Sequence, residues 1–344
     1  MDPIVLLTVC CVALLVVFDY TNGFHDTANM VAASVATQAM TPAQAISLVA
    51  LFTFLGPLLG GTAVAETLGQ FVSLDDQAPR LGISIVLAGV IGAIGWNLLT
   101  WWRGLPSSSS HALVGGLVGA VLAATGPDHV HWGWGALLDE GEWTGVAKII
   151  AALLLSPLAG LLAGYLLYKL LSLCLRRASP SVNRPLRRMQ WLGAAWLAFS
   201  HGTNDGQKSM GIITLVLVLG GFLPAFQVPY WVMLLCASAI TLGTMAGGWR
   251  IVRTVGFGIY KLRPLHGLGS QLAAAAVIGG AAWFGGPVST THVVSSAVMG
   301  VGAADRPRAV RWGKAGEVLF TWLVTLPVAG LLGALTCYLL EVLL

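Results

Sequence analysis

Apolar runs of about 20 residues recur along nearly the whole chain, separated by short clusters of charge and tryptophan. A helix rising about 1.5 Å per residue needs roughly 20 apolar residues to cross a ~30 Å hydrocarbon core, so each run predicts a helix that enters or spans a membrane. The runs fall at 3–22, 41–68, 80–102, 107–125, 146–175, 191–223, 230–249, 268–284, 288–304 and 315–344, ten segments in all. The expected fold class is an all-α polytopic membrane protein. Met1-Asp2-Pro3 supplies no basic flank and no small-residue cleavage site follows, so the first run is expected to remain a helix rather than act as a removable signal peptide.

The polar connections sort by charge. Residues 72–79 carry Asp75 and Asp76 next to Arg80, and residues 127–145 carry Asp128, Asp139, Glu140 and Glu142 with no Lys or Arg. Residues 176–190 hold Arg176, Arg177, Arg184, Arg187 and Arg188, residues 250–266 hold Arg250, Arg253, Lys261 and Arg263, and residues 305–314 hold Arg306, Arg308, Arg311 and Lys314. The positive-inside rule puts the first two outside and the last three in the cytoplasm. The pair 80–125 then has an outside connection at both ends and the pair 268–304 an inside one, so each is expected to be a re-entrant helical hairpin. Each half crosses the membrane an odd number of times, which sets the halves antiparallel and both termini outside. The expected division is a first inverted repeat at 1–175, a basic cytoplasmic linker at 176–190 and a second inverted repeat at 191–344.

Composition agrees with a membrane solvent. Hydrophobic residues make up 56% and charged residues 9%, against roughly 25% charged in an average soluble chain, which excludes a soluble enzyme or a nucleic-acid binder. The 13 Trp and 43 Gly suit interfacial anchoring and close helix contact. Cys10, Cys11, Cys174, Cys236 and Cys337 have no C-x-x-C spacing and are expected to be buried apolar thiols.

The halves repeat each other in sequence. Asn22-Gly23-Phe24-His25-Asp26-Thr27-Ala28-Asn29 answers to His201-Gly202-Thr203-Asn204-Asp205-Gly206-Gln207-Lys208, and Pro106-Ser107-Ser108-Ser109-Ser110-His111 to Pro287-Val288-Ser289-Thr290-Thr291-His292. Between them, Leu55-Gly56, Gly60-Gly61 and Glu66-Thr67-Leu68-Gly69 match Leu242-Gly243, Gly247-Gly248 and Arg253-Thr254-Val255-Gly256. Asp26 to His111 is 85 residues and Asp205 to His292 is 87. Inverted repeats with interrupted apolar segments are the pattern of secondary transporters that bind at the bilayer midplane.

A carboxylate at membrane depth costs a few kcal/mol and normally faces a cavity with a partner. Asn22, His25, Asp26 and Asn29, with Asn204 and Asp205 in the second half, therefore read as a site for a hard cation or a coupling proton. Gly23 is expected to let the helix unwind there and free carbonyls as further ligands. A polar interfacial loop is the plain alternative for either motif alone; duplication inside a second apolar run argues against it. Pro106 and Pro287 mark the hairpin turns. Ser108, Ser109 and Ser110, with Ser289, Thr290 and Thr291, place hydroxyls at helix N-termini, where unpaired N–H groups and the dipole favour an anion. Ordinary N-caps or a Ser-rich linker explain the first run by itself; two such caps on opposed hairpins point to one shared central site. Gln207 and Lys208 join it as candidate phosphate contacts, and Lys208 alternatively pairs with Asp205 or snorkels to the interface. His111 and His292 read either as proton carriers or as hydrogen-bonded structural groups. Asp19 and Glu66 read as interface residues, and His201 is left without a place. Nothing resembles a P-loop, so an ion gradient is the expected driving force.

The stretches at 22–29, 201–208 and 287–292 resemble the inorganic phosphate transporter (PiT) family, and the resemblance covers essentially the whole chain. It implies symport of phosphate with protons or sodium, no cofactor, re-entrant hairpins whose tips meet the anion, and a homodimer in the inner (plasma) membrane. Family signatures usually carry Gly-x-Asn-Asp in both repeats. Here His25 stands where that Asn would be while Asn204 keeps it, which resembles proton-coupled bacterial members that take phosphate as a neutral complex with a divalent metal. Ser108-Ser109-Ser110 stands where the second half has Ser-Thr-Thr. A sulfate permease of the same fold is the rival within the class. A membrane-embedded phosphatase is the rival outside it, weakened by the lack of an intramembrane Arg.

Overall fold

The computed structural model describes residues 2–343, and these are helical almost throughout, with thirteen α-helices and one isolated bridge between Val72 and Val130. Met1 and Leu344, at the ends of the first and last expected segments, lie outside the described residues. Among the described residues, six helices are long and apolar enough to cross a membrane: α1 (Pro3–Ala36), α2 (Pro42–Leu59), α4 (Pro79–Arg103), α7 (Gly145–Cys174), α11 (Pro264–Trp283) and α13 (Trp312–Leu343). α9 (Tyr230–Ala246) passes the same test only together with α10 (Trp249–Arg253) and the π-helical turn after it, against which it is bent by 60°. The chain is a multi-pass membrane protein.

Local signals start these helices where the sequence places them. The Asp2 carboxylate accepts from the backbone N–H of Ile4, and Pro3 occupies the first turn of α1. Thr41 and Gln44 form a reciprocal capping box ahead of α2. Over the expected hairpin segments 80–125 and 268–304, α4 turns into α5 (Ser109–Ala124) and α11 into α12 (Thr290–Asp305). The second arms have 16 residues each, roughly 24 Å of helix, too short to cross.

Gly23 does not unwind its helix. α1 runs unbroken through Asn22–Asn29, and α8 (Asn183–Leu219) runs unbroken through His201–Lys208. The glycines serve approach instead of flexibility: a Cβ on Gly23 would lie 2.1 Å from the Ile240 carbonyl oxygen of α9, and one on Gly202 would lie 2.4 Å from that of Thr53 in α2. The real breaks come later, at Gly60-Gly61 between α2 and α3 (Ala63–Gly69) and at Gly247-Gly248 between α9 and α10. Within the expected basic linker 176–190, α8 already begins at Asn183. Cys11, Cys236 and Cys337 are buried as expected, whereas Cys10 and Cys174 are exposed on the apolar surface.

The long helices α1 and α8, which carry the repeated polar motifs, form the centre. α1 packs on α9 and α4, and α8 on α2 and α11. The terminal helix of each half crosses over: α7 lies along α12 and α13 along α5. The result presses both hairpins against α1 and α8, where the repeated polar motifs face inward and are buried.

Candidate functional site

The hairpin tips meet in the interior. The Ser110 hydroxyl of the first tip donates to the Val288 carbonyl of the second at 3.2 Å, and the His111 and His292 rings lie 4.6 Å apart between centroids. His292 stacks on Trp322 of α13, whose indole N–H donates to the Pro106 carbonyl at 3.0 Å. Ser108 and Ser289 cap α5 and α12, accepting from the backbone N–H of His111 at 3.2 Å and of His292 at 3.3 Å. Ser108 also contacts His111 Nδ1 at 2.7 Å, so these two hydroxyls are engaged in the turns themselves. Ser109, Ser110, Thr290 and Thr291 follow on the first helical turns, all buried.

The carboxylates of both repeated motifs come to these tips. Thr290 Oγ1 lies 3.2 Å from Asp26 Oδ2 and 3.1 Å from Asp205 Oδ2, within reach of both. A hydroxyl has one proton, so it serves one carboxylate at a time. Thr291 donates to Asp26 Oδ1 at 2.8 Å and accepts from Asn29 Nδ2 at 2.9 Å. Asn22 Nδ2 stands 3.5 Å from Asp205 Oδ2. Lys208 is fully buried and donates to Asp205, to Ser110 and, at 3.2 Å, to the Val288 carbonyl. Of its readings from sequence, pairing with Asp205 is the one found; snorkelling to the interface is excluded by its burial.

His25 is a bridge rather than a spare ligand. Its Nδ1 lies 3.2 Å from Asp26 Oδ1, while Nε2 faces Ser107 at 3.3 Å and Thr100 at 3.4 Å. In the second half Asn204 donates instead to the Gly286 carbonyl at 3.0 Å. Asp26, His201 and Asp205 each offer a ligand atom within 4.8 Å of the others, all three buried. His201 Nδ1 approaches Asp205 to 3.5 Å without hydrogen-bond geometry, and the side-chain oxygens of Asn22, Asn29 and Asn204 have no partner among the described residues. Buried acceptors beside two carboxylates suit a hard cation.

Two residues depart from expectation. Asp19 is not at an interface: it is fully buried and accepts from the Ser209 hydroxyl. Gln207 is not at the tips: its carbonyl accepts from the Val64 backbone N–H at 2.8 Å and its amide donates to the Gly60 carbonyl at 3.3 Å, filling the break between α2 and α3. Glu66 is exposed on α3 and accepts from Thr62. His201, Ser107 and Thr100 are the additions. The spacing of His201 and Asp205, four apart, signals a shared helix face once α8 is continuous.

The phosphate transporter family profile matches residues 22–333. A "probable low-affinity inorganic phosphate transporter" of Bacillus subtilis is 43% identical over 343 residues, covering 99% of both chains. One of the same description from Rhizobium meliloti is 42% identical over 335 residues, covering 96% of both. A solved structure described as the sodium-dependent phosphate transporter superposes with a TM-score of 0.87 at 24% identity, over 98% of this chain and 100% of that one, and so shares the fold. These relatives are transporters, not enzymes, and neither a sulfate permease nor a phosphatase finds support among them. By sequence over most of its length, with a fold to match, the chain belongs to the phosphate transporter family.

Proposed function

We propose that this protein is a secondary transporter carrying inorganic phosphate across the inner membrane in symport with a cation, a proton ahead of sodium. One observation carries the coupling: two buried carboxylates, Asp26 and Asp205, meet at the Thr290 hydroxyl, and the buried Lys208 ammonium beside them pairs with Asp205. With all three ionised, one negative charge is left over in a medium where unpaired charge is expensive. A coupling cation balances it, held by Asp26 and Asp205 with the free oxygens of Asn22, Asn29 and Asn204. His25, standing where the family pattern has Asn, favours the proton. Phosphate, free or with a divalent metal as part of the cargo, takes the hydroxyls of Ser109, Ser110, Thr290 and Thr291 and the Lys208 ammonium. The helix N-termini capped by Ser108 and Ser289 complete the anion site.

The two halves are proposed as inverted repeats, with the basic segments cytoplasmic and both termini outside. Recurrent hydrogen bonds support this. Thr67 donates to the Gly285 carbonyl at 2.9 Å as Thr254 does to that of Gly104 at 3.1 Å, and Trp132 donates to Pro127 as Trp312 does to Pro307. The family resemblance adds a homodimer, checked by the mass of the detergent-solubilised protein. The deciding experiment is phosphate uptake in proteoliposomes under separately imposed proton and sodium gradients. Uptake driven by the proton gradient is expected; uptake indifferent to both gradients, or equal for sulfate, contradicts the proposal.

A further inference from the structure

A cavity of about 500 Å³ sits against the second hairpin turn and shares no lining residue with the Asp26 and Asp205 site. Lys148, on the first turn of α7, lines it half-buried, and no carboxylate lies within 4.0 Å of its ammonium among the described residues. Its one described hydrogen bond is to Thr67 Oγ1, at 3.3 Å. An ammonium has three N–H donors, so two remain for a ligand. Thr67 in turn donates to the Gly285 carbonyl, which places Lys148 one hydroxyl away from the turn that leads to Thr290 and Thr291.

Two further features point to an anion. Thr144 lines the cavity with its hydroxyl oxygen buried and unpartnered, and it stands at the start of the 30-residue helix α7, where the dipole end is positive. His131 is fixed in the wall by backbone bonds, its N–H donating to the Phe71 carbonyl at 2.9 Å and its carbonyl accepting from Val146 at 2.8 Å. Glu66, exposed at the rim on α3, is the one carboxylate in the lining. The surrounding 127–145 segment has no Lys or Arg, so Lys148 supplies the permanent positive charge on this face of the cavity.

We infer that this cavity is an outer staging site for an inorganic oxyanion, held by Lys148 with the Thr67 and Thr144 hydroxyls before it passes the second hairpin turn. The inference rests on the proposed phosphate transport and on the outward placing of the 127–145 segment. Neutralising Lys148 weakens loading here and leaves the central site as it is.

The test is the concentration dependence of inorganic phosphate uptake into right-side-out proteoliposomes. Lys148→Gln should raise KM about tenfold, equivalent to about 1.4 kcal/mol, with the maximal rate within about twofold of wild type and a flatter dependence on ionic strength. Lys148→Arg should restore most of the affinity, and Glu66→Gln, which removes the opposing charge, should lower KM. Efflux from the inner face should keep its KM in all three. An unchanged KM in Lys148→Gln, or a loss of maximal rate that Lys148→Arg also shows, overturns the staging site by making Lys148 irrelevant or a packing strut. If Lys148→Gln fails to fold, the sign of the Glu66→Gln effect decides: a raised or unchanged KM refutes the inference. Wild-type uptake with normal Lys148 variants refutes the staging site alone, whereas absence of wild-type uptake refutes the transport proposal with it.

Discussion

Replacing Lys208 by Met removes the one fully buried ammonium among the described residues while keeping a long apolar stem of similar reach. Lys208 and Asp205 are both at 0% exposure, so neither end of the pair has water to fall back on. Without the ammonium, Asp205 retains the shared Thr290 hydroxyl at 3.1 Å and long approaches from Asn22 and His201, each at 3.5 Å. The Val288 carbonyl and the Ser110 hydroxyl each lose a donor as well. Breaking a buried pair on one side typically costs about 3–5 kcal/mol, because a charge is left uncompensated, while replacing both members by neutral groups is often close to neutral. Lys208→Met should therefore destabilise by about that amount, and Asp205→Asn combined with Lys208→Met should recover at least about 2 kcal/mol of it. Denaturation of the purified wild type, both single variants and the double variant, in one detergent and in sodium-free buffer at fixed pH, measures the coupling as a double-mutant cycle. A Lys208→Met cost below about 1 kcal/mol, or strict additivity of the two changes, would refute the argument that this pair is a dry, mutually dependent unit.

Other expectations follow from the same geometry. Asp26→Asn and Asp205→Asn should insert and fold but lose gradient-driven phosphate uptake in proteoliposomes, with different ion dependence because, of the two carboxylates, His25 contacts Asp26; normal driven uptake by both would contradict the coupling site. Alanine at Ser109, Ser110, Thr290 or Thr291 should weaken phosphate binding roughly 10- to 150-fold in calorimetry, taking about 1.5–3 kcal/mol for a hydrogen bond to a charged group. Unchanged binding in all four, with loss in a lysine variant, would move the anion site to Lys208. Gly23→Ala and Gly202→Ala should each destabilise by about 1–3 kcal/mol or more in thermal unfolding, since the new Cβ meets backbone atoms of a neighbouring helix; a cost near zero would mean the helices separate easily there.

The apolar helices were legible because membrane solvent writes hydropathy plainly, and the Pro106 and Pro287 turns carry their own punctuation. The meeting of Asp26, Asp205 and the tips was foreshadowed by the order of the repeated motifs. What misled was glycine, whose letter stands for two different physical uses. At Gly23 the missing Cβ admits Ile240, and the helix stays whole; at Gly60-Gly61 and Gly247-Gly248 the chain breaks. Asp19 and Gln207 were misplaced because their partners, Ser209 and the Val64 and Gly60 backbone, come from other helices at long sequence separation. His201 was missed for the opposite reason. Its relation to Asp205 is local, and only the assumption of an unwound segment hid it.

The crossing of terminal helices has a consequence for how the protein is made. The first hairpin is complete once Ala124 has left the ribosome, yet its long packing partner, α13, begins only at Trp312, 188 residues later (312 minus 124). At about 5–20 residues per second of synthesis, the α5 face that α13 covers waits roughly 10–40 s in the bilayer for its cover. Newly made chains lacking their final helix should thus hold an unsheltered α5, a natural target for membrane quality control, and two separately expressed halves should mature only when both are present together.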